Sequence, residues 1–291
     1  MTIDQFFEAI AKIAGVLFVV TSMLAMGLSL TIPMIAGPLR NVRLVVLALV
    51  ANFVLVPALA YLIVTVIPID EALRTGLIVL ATAAGAPFLP KLVQGANGDV
   101  AFGVGLMVLL MVVTIGYMPL VLPLLLPGVS VDAASIAKSL VVLMLVPLGL
   151  ALLVRAHVPE IAAEWQPVMA RISSLAILVL LVVGLGLNVS GILDLIGTGG
   201  FLALLLFIAG ALVIGFVLGG RDPGVRSVMG LGTAQRNLAA AIVVSAQNFS
   251  GSATLSFVLA GSVVLLVILL ATARVLGRRA PAPASAGTVA A

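Results

Sequence analysis

The feature that most constrains this chain is a run of apolar segments, each about 20 residues long and almost free of charge, recurring along nearly its whole length. A helix of about 20 residues spans the ~30 Å hydrocarbon core of a bilayer, and inside that core every backbone group must find its partner within the protein. Only 8% of the residues are charged and the mean hydropathy is +1.39, against roughly 25% charge in a soluble domain. The short alternating strands of a transmembrane barrel are missing from the pattern. The sequence therefore reads as an all-α polytopic membrane protein.

About nine hydrophobic segments are expected, near 10–33, 43–67, 72–97, 99–126, 133–155, 168–190, 200–219, 225–248 and 251–276. Residues 281–291 read as a disordered Ala/Pro/Ser-rich tail. Basic residues gather on alternate loops. Arg40, Arg43, Arg155, Arg171, Arg221, Arg226, Arg274, Arg278 and Arg279 fall on one side, and only Lys12, Arg74 and Lys138 on the other. The positive-inside rule then places the N-terminus outside and the C-terminus in the cytoplasm, which suits an odd number of spans in a bacterial inner or plasma membrane. The net charge of +4 is a topology signal here and gives no reason to expect a nucleic-acid partner.

The chain has no cysteine. Every carboxylate and the single histidine, His157, lie in tails, loops or span ends. An enzyme would need a nucleophile and base, or a metal constellation, in the membrane; none is legible, so no enzymatic activity and no bound metal or other cofactor is expected. Charge at depth is confined to two candidates, Arg236 and Lys91.

Two segments are interrupted. Arg74 to Asn97 contains Gly-Ala-Pro-Phe-Leu-Pro, whose Pro87 and Pro90 lack N–H donors. Arg226 to Asn248 contains the polar cluster Thr233, Gln235, Arg236 and Asn237. Each begins with arginine, carries Thr-Ala at its middle (Thr82-Ala83, Thr233-Ala234) and ends near Gln and Asn. Paired interrupted helices entering from opposite sides are the sequence mark of inverted repeats around a transport site. Asp99 precedes an apolar run and fits a helix N-cap, and Trp165 fits an interfacial anchor.

Four stretches in order, Met-Gly-Leu-Ser-Leu (Met26–Leu30), Ala51–Tyr61, Gly98–Gly103 and Gly232–Ala241, make the chain resemble the bile acid:sodium symporter family over nearly its full length. That resemblance implies a core domain (about 43–126 and 200–277) with crossing broken helices, and a panel domain (about 10–35 and 133–190). Substrate would bind between them, and transport would proceed by alternating access.

The resemblance also exposes departures. The family's sodium-binding Glu falls on Gly232 and its Gln on Arg236, while the following Asn is kept as Asn237. A Ser-Asn pair falls on Leu89-Pro90, and expected hydroxyls fall near Met107, Leu110 and Met111. Sodium stays open as a co-ion, but its usual carboxylate is replaced by Gly232.

The expectation is thus a secondary-active or facilitative transporter of a small organic anion, in which Arg236, with Lys91 as the second candidate, takes the place of sodium. The half-helix N-termini beyond the breaks would add donors for the anion. Asn52, Thr82, Thr233, Gln235, Asn237, Arg236 and Lys91 form the candidate substrate or ion site. Arg236 as a clamp between the broken helices, Lys91 snorkelling to the edge, and the polar residues as interhelical glue stand as the alternatives. Sodium-coupled symport, metalloid efflux and a channel are the competing functions. The bilayer is the other partner, and monomer and homodimer are both open.

Overall fold

The computed structural model describes residues 3–126, 132–186, 199–249 and 253–279. The expected tail at 281–291 and the end of the sixth segment at 187–190 lie outside these residues. Among the described residues the secondary structure is helical throughout.

The helices are α1 (Ile3–Ser29) and α2 (Ile32–Ala36), α3 (Val42–Val66), α4 (Glu71–Thr82) and α5 (Leu89–Gly95), α6 (Val100–Leu125), α7 (Ala133–His157) and α8 (Pro159–Gly186). There follow α9 (Gly200–Leu218), α10 (Pro223–Ala234), α11 (Leu238–Asn248) and α12 (Ala253–Arg279). Five of them, α3, α6, α7, α9 and α12, are long and apolar enough to cross a membrane by length and composition. The first and sixth hydrophobic segments lie in α1 and α8. The third and eighth are each divided into two shorter helices, as α4 with α5 and α10 with α11.

Starts and stops follow local chemistry. Asp99 caps α6, accepting from Phe102 N at 2.9 Å, and Asp222 caps α10, accepting from Val225 N at 2.8 Å. Asn237 caps α11, accepting from Ala240 N at 3.2 Å. Each side chain satisfies one of the donors that a helix start leaves free.

Two long helices are irregular at the same tripeptide. Ahead of Leu55-Val56-Pro57 in α3, and of Leu145-Val146-Pro147 in α7, one turn widens to π geometry, at Ala51–Leu55 and Val141–Leu145. Proline cannot donate to the carbonyl four residues back, and the extra residue of a π turn reroutes the ladder around it. Neither π turn is legible from hydropathy, because Leu-Val-Pro sits in an unbroken apolar run.

The main apolar core gathers side chains from α1, α3 to α7 and α9 to α12. A separate small cluster joins Ala14 of α1 and Leu180 of α8 to Ile242 of α11 and Leu259 of α12. Ser139 of α7 and Gln247 of α11 are hydrogen-bonded toward the same end of α11.

Candidate functional site

The two breaks meet in the interior. The first is the loop Ala83–Phe88 between α4 and α5, and the second is Gln235–Asn237 between α10 and α11. They are tied directly, since Asn237 N donates to Ala83 O at 2.7 Å and Asn237 Nδ2 donates to Gly85 O at 3.0 Å. Gly85 has φ +77°, and a Cβ there would lie 2.1 Å from Met111 N of α6. Only glycine fits both the left-handed backbone and the close approach.

Arg236 sits between these pieces and is 3% exposed. Its Nη1 donates to Ala81 O at 3.3 Å, its Nε to Ala234 O at 3.4 Å, its Nη2 to Asn52 Oδ1 at 2.7 Å and also to Thr233 O. All four partners are neutral oxygens. Three are backbone carbonyls from the C-terminal ends of α4 and α10, where peptide dipoles leave partial negative charge and unsatisfied acceptors. A planar guanidinium with five donors suits such a ring of acceptors. The charge that the bilayer penalises is therefore held by two helix ends and one amide.

Asn52 enters from the π turn of α3 and is fully buried; its Nδ2 donates to Ala48 O at 3.0 Å and to Thr233 Oγ1 at 3.5 Å. Asn52, Thr233, Arg236 and Asn237 are thus brought together, although up to 184 residues separate bonded partners. Thr82 lies one residue from Ala81, but its hydroxyl turns back along α4 to Ile78 O and Val79 O, both at 3.0 Å. Gln235 is buried at 4% exposure and its Oε1 has no hydrogen-bond partner. Lys91 lies apart, exposed on α5 with its Nζ 5.6 Å from the centroid of the Phe88 ring.

The place where the resemblance calls for a carboxylate is filled with hydrocarbon. A Cβ on Gly232 would lie 3.1 Å from Leu89 Cδ2 and 3.5 Å from Leu106 Cδ2. Leu89, Met107, Leu110 and Met111 are all buried at 1% exposure or less. Among the described residues no group of three or more His, Cys, Asp or Glu side chains is placed to hold a metal ion.

Two residues that hydropathy passes over also belong to this region. Thr114 of α6 is fully buried; it donates to Ala84 O at 3.0 Å and accepts from Ala84 N at 3.1 Å. Tyr117, one turn on, donates to Phe53 O at 2.7 Å. The available signal was that they carry the only hydroxyls between Val104 and Leu126.

Long apolar helices, with two broken ones joined at their breaks around a buried polar cluster, define a polytopic membrane protein of the transporter class. The family model for the Sodium Bile acid symporter family matches residues 16–195, more than half of the chain, and the chain belongs to that family. The match includes the first break and ends before the second. A comparison with curated proteins gives no match.

Proposed function

We propose that this protein carries a small organic anion across the inner or plasma membrane by alternating access, without using the sodium sites usual in its family. Arg236 supplies the positive charge instead. The observation that carries this reading is the ring of Ala81 O, Thr233 O, Ala234 O and Asn52 Oδ1 around the guanidinium. Neutral oxygens at two helix C-termini are what a hard monovalent cation would use, and here the guanidinium of Arg236 occupies them. Leu89 and Leu106 packed against Gly232 support the same reading, because they offer an ion no oxygen.

The wider architecture proposed with it has about nine spans in inverted repeats, N-terminus outside and C-terminus in the cytoplasm, with core and panel domains as expected from the sequence. The cluster around Ala14, Leu180, Ile242 and Leu259, together with the Ser139–Gln247 bond, supports a conformation closed on the N-terminal side of the membrane. Arg236 is buried in it and bonded to protein. Its charge attracts the anion as a fixed field, and direct contact belongs to a conformation in which the breaks part.

A second reading, sodium-coupled symport through a reduced site, draws on the unpartnered Gln235 Oε1, the kind of oxygen a sodium ion binds. Uptake by proteoliposomes with sodium replaced by choline separates the two. Uptake should persist in choline, and strict sodium dependence would overturn the first reading. A thermal-shift screen of organic anions, repeated with Arg236→Gln, should then find ligands whose stabilisation disappears in the variant.

A further inference from the structure

We propose that Thr114 and Tyr117, one turn apart on α6, are positioning residues that set where the oxygen partners of Arg236 stand. The proposal rests on the reading of Arg236 as the fixed cation of the crossing. It concerns how the protein aims two of those neutral oxygens, Ala81 O and Asn52 Oδ1, at a buried guanidinium from beside two irregular stretches of backbone.

The first stretch is the loop after α4. Its carbonyls at Ala83, Ala84 and Gly85, and that of Ala81 in the last turn of α4, stand beyond the helical ladder in a dry interior, where each needs a donor. Arg236 takes Ala81 O, and Asn237 takes Ala83 O and Gly85 O. Ala84 is held from the other side by Thr114, whose single hydroxyl donates to its carbonyl and accepts from its amide. That two-point grip fixes the loop against α6, one turn beyond the place where Gly85 touches the Met111 backbone. The position of Ala81 O follows from it.

The second stretch is the π turn of α3. Pro57 has no N–H, so Phe53 O, four residues back, loses its helical donor. Tyr117 supplies one at 2.7 Å, and its ring lies against Phe53 with centroids 4.8 Å apart. Asn52 is the neighbouring residue in that turn and gives Oδ1 to Arg236. Residues at i and i+3 share one face of a helix. One face of α6 therefore spaces both irregular stretches, and through them the Ala81 and Asn52 ligands of Arg236.

Hydrogen exchange read by mass spectrometry on the full chain in detergent tests this without a known substrate. Tyr117→Phe should speed exchange in residues 51–57 and also in residues 233–237, by about fivefold, the worth of one hydrogen bond. Thr114→Val should do the same in residues 83–86 and 233–237, and Thr114→Ser should return both to the wild-type rate. In the Arg236→Gln background, Tyr117→Phe should still open residues 51–57 but have a smaller effect on 233–237, because the bond from Arg236 to Asn52 Oδ1 is gone and only the 3.5 Å bond from Asn52 Nδ2 to Thr233 Oγ1 still joins them.

The assignment is overturned if residues 233–237 stay unchanged in both single variants. It is also overturned if the Tyr117→Phe effect there persists undiminished beside Arg236→Gln, or if Thr114→Ser behaves like Thr114→Val. Should Thr114→Val fail to fold, the Thr114→Ser and Tyr117→Phe arms decide it. None of these readings uses sodium or uptake, so a strictly sodium-dependent transporter would sink the proposed function and leave this assignment standing.

Discussion

The first break is written in glycine and proline, and the second in arginine and asparagine. Between α4 and α5, Gly85 turns the chain through a left-handed residue and Pro87 and Pro90 deny it a helical ladder; the freed carbonyls are then picked up by groups from elsewhere, Thr114, Asn237 and Arg236. Between α10 and α11 the interruption Gln235–Asn237 contains neither glycine nor proline. There Arg236 folds back onto Thr233 O and Ala234 O of the helix just ended, and Asn237 caps the helix about to begin. The first break is enforced by steric exclusion and served from outside. The second is made by side chains that serve both breaks at once.

That difference orders the expected effects of substitution. Gly85→Ala should be the most damaging, because the new Cβ meets backbone and φ is already unfavourable; a loss of about 3 kcal/mol or more is expected in detergent unfolding. Arg236→Ala should follow at about 2–3 kcal/mol, since buried oxygens of both breaks lose their donor. It should be partly restored by millimolar methylguanidinium, which no variant of the first break would show. If Arg236→Ala proved harmless, the clamp between the helix ends would be refuted along with the fixed-cation reading.

Asn237→Ala removes the cap of α11 and the bond to Gly85 O, and should cost about 1–2 kcal/mol by the same measurement. Gly232→Ala should be mild, under about 1 kcal/mol, because the new methyl meets only the flexible ends of Leu89 and Leu106. Lys91→Gln should be smallest of all, within about 0.5 kcal/mol, as Lys91 is exposed. Anion uptake reduced as strongly by Lys91→Gln as by Arg236→Gln would return Lys91 to the site beside Arg236.

The membrane class, the interruptions near Pro87 and Arg236, and the cap at Asp99 were legible because each depends on residues close in sequence. Gly-Ala-Pro breaks a helix wherever it lies, and an Asp before an apolar run caps one. The π turns of α3 and α7 were not read, since Leu-Val-Pro keeps the hydropathy of a span while changing its ladder. Thr114 and Tyr117 were missed for a related reason. A hydroxyl in a helix normally bonds its own backbone, as Thr82 does, and nothing local distinguishes one that reaches across to another helix.

What the sequence determined by itself was that a charge would stand at the second break with no acid nearby, and hence that either carbonyl oxygens freed at the breaks or an anionic substrate had to answer it. Burying an unpaired arginine in hydrocarbon costs too much to be left unanswered. Only the tertiary structure decided which oxygens those are. Ala81 and Asn52 lie 155 and 184 residues from Arg236 along the chain, and no rule of spacing joins them to it. They meet because two helices end where a π turn in a third points inward, which is a property of packing rather than of any one segment.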